Sequence, residues 1–81
     1  MNSIPDMDAG NQPLDSLMEE RGLTNHDLVA ASAQNLTHKQ VSKARHGRKV
    51  TFRIQKKILE AWNAVQEEAS TLEQLFTYRG R

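Results

Sequence analysis

The sequence predicts an all-α fold, a compact bundle of five short helices. Apolar residues recur at helical spacing in several segments, and no alternating segment is long enough for a sheet strand. Ser and Thr residues stand where helix N-caps are needed, with an acid or amide three residues later. A chain of 81 residues makes one domain with a small core, and the absence of cysteine excludes a disulfide framework.

The ends of the chain differ from its middle. Residues 1–12 show no apolar periodicity, so we expect a flexible leader, a folded domain over residues 13–77 and a frayed C-terminus over residues 78–81. A leader that enters a DNA minor groove needs Arg or Lys, whereas this one carries Asp6 and Asp8. We therefore do not expect it to act as such an arm.

The first helix is predicted to begin at Pro13, where the missing N–H costs nothing. Leu14, Leu17 and Met18 then form one apolar stripe. Gly22 follows as a C-terminal stop.

The second and third helices both begin with capping signals. Thr24 precedes the second helix, and Asp27 completes a variant of the capping box. Thr37 and Gln40 form a full T-x-x-Q box at the start of the third helix, predicted over residues 37–46.

The third helix has little apolar surface. Val41 and Ala44 are its apolar residues, Leu36 precedes it and Gly47 ends it. Its other residues are polar or cationic, namely His38, Lys39, Gln40, Ser42, Lys43, Arg45 and His46. A helix of this composition docks along one narrow edge and leaves a wide face in solvent.

The fourth helix has the longest apolar pattern, and Thr51 is its predicted N-cap. Its apolar positions hold helical spacing at Ile54, Ile58, Ala61, Trp62, Val65 and Ala69. An S-x-x-E box at Ser70 predicts a short fifth helix through residues 72–76. This last segment either covers the core or forms a two-fold dimer contact through Leu72, Leu75, Phe76 and Tyr78.

Charge is strongly segregated along the chain. Eight Lys or Arg residues and no acid lie between Asn35 and Lys57, whereas the whole chain has a formal net charge of only +1. Solvated surfaces usually mix both signs, so this stretch favours a polyanion-binding surface over a merely solubilising one. Together with the paired capped helices, it predicts a small helix-turn-helix domain that binds DNA.

The chain resembles the lambda-repressor/Cro-like family, also called XRE-type helix-turn-helix domains, over roughly residues 14–76. The resemblance is carried by Leu23-Thr24, Leu28, Val41, Gly47 and the segment 56–62. It implies a sequence-specific transcriptional regulator of double-stranded DNA, most simply a repressor. Because neither a signal-peptide pattern nor an apolar run of membrane-spanning length is seen, we expect a cytoplasmic location. The connection between the second and third helices is about two residues longer than the usual turn of this motif.

The helix-turn-helix geometry assigns two sets of contacts. The residues expected to face base edges are His38, Lys39, Gln40, Ser42 and Lys43. The residues expected to contact phosphates are Asn25, Thr37, Arg45, His46, Arg48, Lys49 and Arg53. Gln40 has a competing role, since the capping box requires its side chain to fold back on Thr37.

Other functions find little support in the sequence. The three histidines lack metal-ligand spacing, and no nucleophile, base and orienting group stand together, so we expect no metal, no cofactor and no enzymatic activity. No signal peptide or membrane-spanning segment is predicted, and no small-molecule ligand is evident. Two alternatives stay open: an antitoxin-like protein that binds a partner and represses its own operon, and a helical protein-interaction adaptor with a basic face.

Overall fold

The computed structural model describes residues 9–81, and they form five helices and no β-strand. The helices are α1 (Pro13–Glu20), α2 (Asn25–Ala31), α3 (His38–Arg45), α4 (Phe52–Ala64) and α5 (Leu72–Leu75). The predicted all-α class and the number of helices are confirmed. Within the described residues, no helix is long and apolar enough to cross a membrane.

The start of α1 follows the prediction, and the segment before it is fixed to the end of α3. The Ala9 N–H donates to the carbonyl of Gly47 over 2.7 Å, and the Gln12 N–H donates to the carbonyl of Arg45 over 3.0 Å. The Gln12 side chain is buried, and its oxygen accepts a hydrogen bond from the Thr77 N–H over 2.7 Å. The predicted leader therefore joins the fold by residue 9, and residues 1–8 lie outside the described part.

The capping boxes of α2 and α3 form as predicted. Thr24 exchanges hydrogen bonds with Asp27, and Thr37 exchanges them with Gln40. The hydrogen bonds from the Thr24 N–H and from its hydroxyl lower the pKa of the Asp27 carboxyl below its usual value. Both helices thus begin at a position that their own side chains define.

The connection between α2 and α3 spans residues 32–37, because α2 stops at Ala31. Asn35 adopts φ 59°, a left-handed conformation that Asn tolerates better than most residues. Leu36 turns inward and is buried. The extra length expected from the sequence thus lies in the turn and does not extend α2.

α4 is shorter than predicted. It ends at Ala64, Val65 is 39% exposed, and Ala69 lies beyond the helix on the surface. The chain turns back because Asn63 holds Ser70: the Ser70 N–H donates to Asn63 Oδ1 over 2.7 Å, and Asn63 Nδ2 donates to the Ser70 carbonyl.

The predicted N-cap of α5 is one residue too early. Ser70 is hydrogen-bonded to α4 instead: besides its backbone contacts with Asn63, its hydroxyl accepts the indole N–H of Trp62 over 3.1 Å. Thr71 is the N-cap instead, and its N–H donates to Gln74 Oε1 over 2.8 Å. The shift of one residue leaves Leu75 of α5 buried in the core.

Residues 78–81, predicted to fray, are hydrogen-bonded to the start of α4. The buried Gln55 donates to the Tyr78 carbonyl over 3.0 Å and accepts the Gly80 N–H over 2.8 Å. The Tyr78 hydroxyl accepts the Val50 N–H over 2.8 Å. Burial raises the pKa of this phenol above its usual value, although the hydrogen bond from Val50 acts in the opposite direction.

One core joins all five helices. Its buried apolar residues are Leu14, Met18, Leu28, Leu36, Val41, Ala44, Val50, Ile58, Ala61, Trp62, Leu75 and Phe76. Leu75 and Phe76 lie inside it, while Leu72 and Tyr78 are half-buried at its edge. Of the two roles predicted for the last segment, covering the core is therefore the one seen in the single chain.

Candidate nucleic-acid interface

α3 presents a polar face because only three apolar residues dock it. Leu36, Val41 and Ala44 are at most 3% exposed. His38, Lys39 and Lys43 lie on the exposed side of the helix. Gln40, Ser42 and Arg45 are half-buried, so the solvent-exposed face of α3 is narrower than the sequence predicted.

Two of the five predicted base-contacting residues are partly engaged elsewhere. The Gln40 side chain accepts the Thr37 N–H over 3.1 Å, so it serves as the cap of α3. The Ser42 side chain is less accessible, because this residue is half-buried. His38, Lys39 and Lys43 are thus the predicted base-contacting residues whose side chains are exposed.

Arg45 and Asn25, both predicted to contact phosphate, are bound to each other. Arg45 Nε lies 2.6 Å from Asp15 Oδ1, and its Nη1 donates to Asn25 Oδ1 over 2.9 Å. The side chains of Arg45 and Asp15 are each only 15% exposed. These contacts link α3 to α1 and α2, so both side chains have partners within the protein, and their contact with phosphate stays a prediction.

The other predicted phosphate-contacting residues lie on the surface. Thr37, His46, Arg48, Lys49 and Arg53 are all exposed. The Thr37 hydroxyl accepts the Gln40 N–H, and His46 Nδ1 lies 3.1 Å from the Ser42 carbonyl. Arg48 and Lys49 occupy the loop after α3, and Arg53 occupies the first turn of α4.

Two histidines from different helices stack on each other, a contact that the sequence analysis did not find. The rings of His26 and His38 have centroids 5.8 Å apart and planes inclined by 28°. His26 follows the N-terminus of α2, and His38 is the first residue of α3. The stack therefore places two imidazoles side by side at the N-terminal end of the polar face of α3.

A second group of cations lies around Phe52, the first residue of α4. The Arg79 guanidinium lies 5.2 Å from the centre of the Phe52 ring, and Lys56 Nζ lies 5.5 Å from it. Phe52 and Lys56 also line a surface groove, and the cations Arg53, Lys57 and Arg81 line the same groove. Sequence reasoning did not assign Arg79 or Arg81 to the interface, because both were placed in the segment predicted to fray.

Most acids lie outside these basic surfaces. Glu19 and Glu20 end α1, and Glu67 and Glu68 lie in the bend after α4. Among the acids of residues 9–81, Glu60 lines the groove beside Phe52 and accepts hydrogen bonds from Gln34, and Glu73 lines a concave surface with Arg79. Within the described residues, no group of three or more His, Cys, Asp or Glu side chains could hold a metal ion.

Comparison of the chain with protein-family models, with characterised proteins and with solved structures gave no match. The candidate interface is therefore defined by its own geometry and charge.

Proposed function

We propose that this chain is a sequence-specific regulator that binds double-stranded DNA. In this proposal α2 and α3 act as a helix-turn-helix pair, and the N-terminal part of α3 enters the major groove. The supporting observation is α3 itself, a helix docked by three apolar residues that presents His38, Lys39 and Lys43 to solvent.

In this proposal the same three residues contact the base edges and so determine the sequence preference. A lysine ammonium donates well to O6 and N7 of guanine, and each good base contact contributes about 1–3 kcal/mol of discrimination. Ser42 and Gln40 contribute less, because Ser42 is half-buried and Gln40 caps the helix.

In this proposal the exposed cations that follow α3 contact the phosphate backbone of the DNA. Arg48, Lys49 and Arg53 lie in the loop and in the first turn of α4, where they can neutralise phosphates beside the groove. Such contacts add affinity without sequence preference, and they make the affinity depend on salt.

Repression follows from occupancy in this proposal. A protein that covers a promoter blocks transcription without any activation surface. The resemblance to repressor-type helix-turn-helix domains favours this outcome, although resemblance of fold does not by itself fix function. In a dimer, two copies of α3 would contact half-sites about 34 Å apart.

The proposal is tested by comparing two pairs of variants. Lys39→Ala and Lys43→Ala should relax the base preference in a selection from random duplexes, whereas Arg48→Ala and Lys49→Ala should weaken binding to every duplex alike and reduce the salt dependence. All four positions carry exposed cations, so each variant changes the net charge equally. Equal effects of all four variants on every sequence would contradict base reading by α3 and favour a basic adaptor surface.

A further inference from the structure

The last residues of the described chain are held in place on α4. Gln55, which is fully buried, binds the backbone of residues 78–81 at two points, and the Phe52 N–H donates to the Arg81 carbonyl over 2.8 Å. Arg79 and Arg81 are therefore presented from a fixed backbone. This location is more than twenty residues along the sequence from the basic stretch that it adjoins.

Five cations meet at this place, and we call them the α4 basic patch. They are Arg53, Lys56, Lys57, Arg79 and Arg81. Lys56 and Arg79 both lie near the ring of Phe52, whose negative π-face attracts each of them. The ring therefore contacts one cation from α4 and one from the end of the chain.

The α4 basic patch is poorly neutralised by the protein. In residues 9–81 the ion pair found is between Arg45 and Asp15, which lies outside the patch. Glu60 lines the groove and keeps its negative charge, so in this groove one acid stands against the four cations Arg53, Lys56, Lys57 and Arg81. Repulsion among neighbouring cations is relieved when an anion binds, so the patch is suited to a polyanion.

The patch also borders the element that leads into α3. Arg53 and Lys57 share a concave surface with residues 33–35 of the connection between α2 and α3. This connection ends at Thr37, the N-cap of α3. One edge of the patch therefore lies beside the connection that leads into α3.

We propose that the α4 basic patch binds the phosphate backbone of the same duplex that α3 contacts, with Arg79 and Arg81 as phosphate ligands. This inference rests on the proposed function and adds to it a contact supplied by the end of the chain. Phosphate contacts fix the position of a protein on DNA and carry no sequence information directly. The two arginines therefore contribute affinity and salt dependence, whereas base preference stays with α3.

The test measures duplex affinity as a function of salt for Arg79→Gln, Arg81→Gln and the control Arg21→Gln. Each variant removes one exposed cation, but Arg21 lies at the end of α1, away from the patch. The slope of log K against log salt should become shallower by about 0.9 for each phosphate that the protein no longer neutralises. We expect this change for the two patch variants and an unchanged slope for Arg21→Gln.

A further variant separates charge from packing, because Arg79 also contacts the Phe52 ring. Arg79→Lys retains the cation and should keep the wild-type salt slope, and thermal unfolding shows whether each variant is folded. Wild-type slopes for both Arg79→Gln and Arg81→Gln would overturn the inference while leaving the proposed function intact. A wild-type protein that binds no duplex of mixed sequence even at low salt would overturn both.

Discussion

Arg45 shows that the charge of a residue does not by itself reveal its contacts within the fold. It belongs to the basic stretch, yet its guanidinium binds Asp15 of α1 and Asn25 of α2. These partners lie 30 and 20 residues away in the sequence, so no local sequence pattern predicts these two contacts. The side chain fixes the orientation of α3 on the two preceding helices.

Replacing Arg45 should therefore affect stability more than salt dependence. Arg45→Ala and Asp15→Ala should each lower the free energy of unfolding, and a double-mutant cycle should give a coupling energy of about 2 kcal/mol for this largely buried charged hydrogen bond. Urea unfolding of the two single variants and the double variant measures it. A coupling near zero, with a reduced salt slope for DNA binding, would instead assign Arg45 to phosphate.

One substitution can separate the two roles predicted for Gln40, which are capping α3 and contacting DNA. Gln40→Glu keeps the capping box and places a negative charge at the N-terminus of α3, so the free energy of unfolding should be unchanged or higher. In the proposed complex the same charge lies against the DNA, whose phosphates repel it, so duplex affinity should fall. Gln40→Ala is the control and should lower the free energy of unfolding by about 1 kcal/mol through removal of the cap.

Stability and binding of the Gln40 variants are measured by urea unfolding and by titration with duplex DNA. If Gln40→Glu binds DNA as tightly as the wild type, this position lies away from the backbone. A large decrease in the stability of Gln40→Glu would contradict the capping role.

At the scale of helices, what the sequence predicted well was local. The capping boxes at Thr24 and Thr37 act within four residues, and the sequence showed them directly. The end of α4 was missed because it depends on Asn63 and Trp62 binding Ser70 from the preceding helix. Long-range bonds of buried polar side chains also order the residues 9–12 and 78–81, and no periodicity reveals them.

The contact between residues 9–12 and the end of α3 depends on Gly47. Gly47 has φ 95°, and a Cβ added there would overlap the backbone of Gly10. Gly22 has φ 67° but nothing within 4 Å of an added Cβ. The two glycines therefore share the conformational requirement and differ in the space around them.

Gly47→Ala should accordingly destabilise the fold more than Gly22→Ala. Gly22→Ala should cost about 1–2 kcal/mol, the penalty for an L-residue in the left-handed region. Gly47→Ala adds the displacement of residues 9–12, so its free energy of unfolding should be lower still. Equal decreases in urea unfolding would show that these residues do not pack on the end of α3 in solution.

For the whole molecule, the main feature is the separation of charge that the near-zero net charge conceals. The fold brings Arg79 and Arg81 to the last three cations of the basic stretch around Phe52, while Glu19, Glu20, Glu67 and Glu68 lie at the end of α1 and in the bend after α4. Such a field steers a polyanion toward one side of the protein. The sequence predicted its sign and its main segment, but not its extension by the C-terminal arginines.

Dimerisation remains a prediction at this scale, and the structure narrows the surface for it. Leu75 and Phe76 are buried within the chain, so a contact through α5 would rely on the half-buried Leu72 and Tyr78. A small contact of this kind favours a dimer that assembles on DNA rather than one that is stable in free solution.

Sequence-specific recognition can be measured by selecting duplexes from a random library with the wild-type protein at near-physiological salt and sequencing those that bind. We predict an enriched motif with two symmetric half-sites about 34 Å apart, each contacted by one α3. An absence of any enriched sequence, with binding that disappears as salt rises, would contradict sequence-specific recognition and leave only a basic surface.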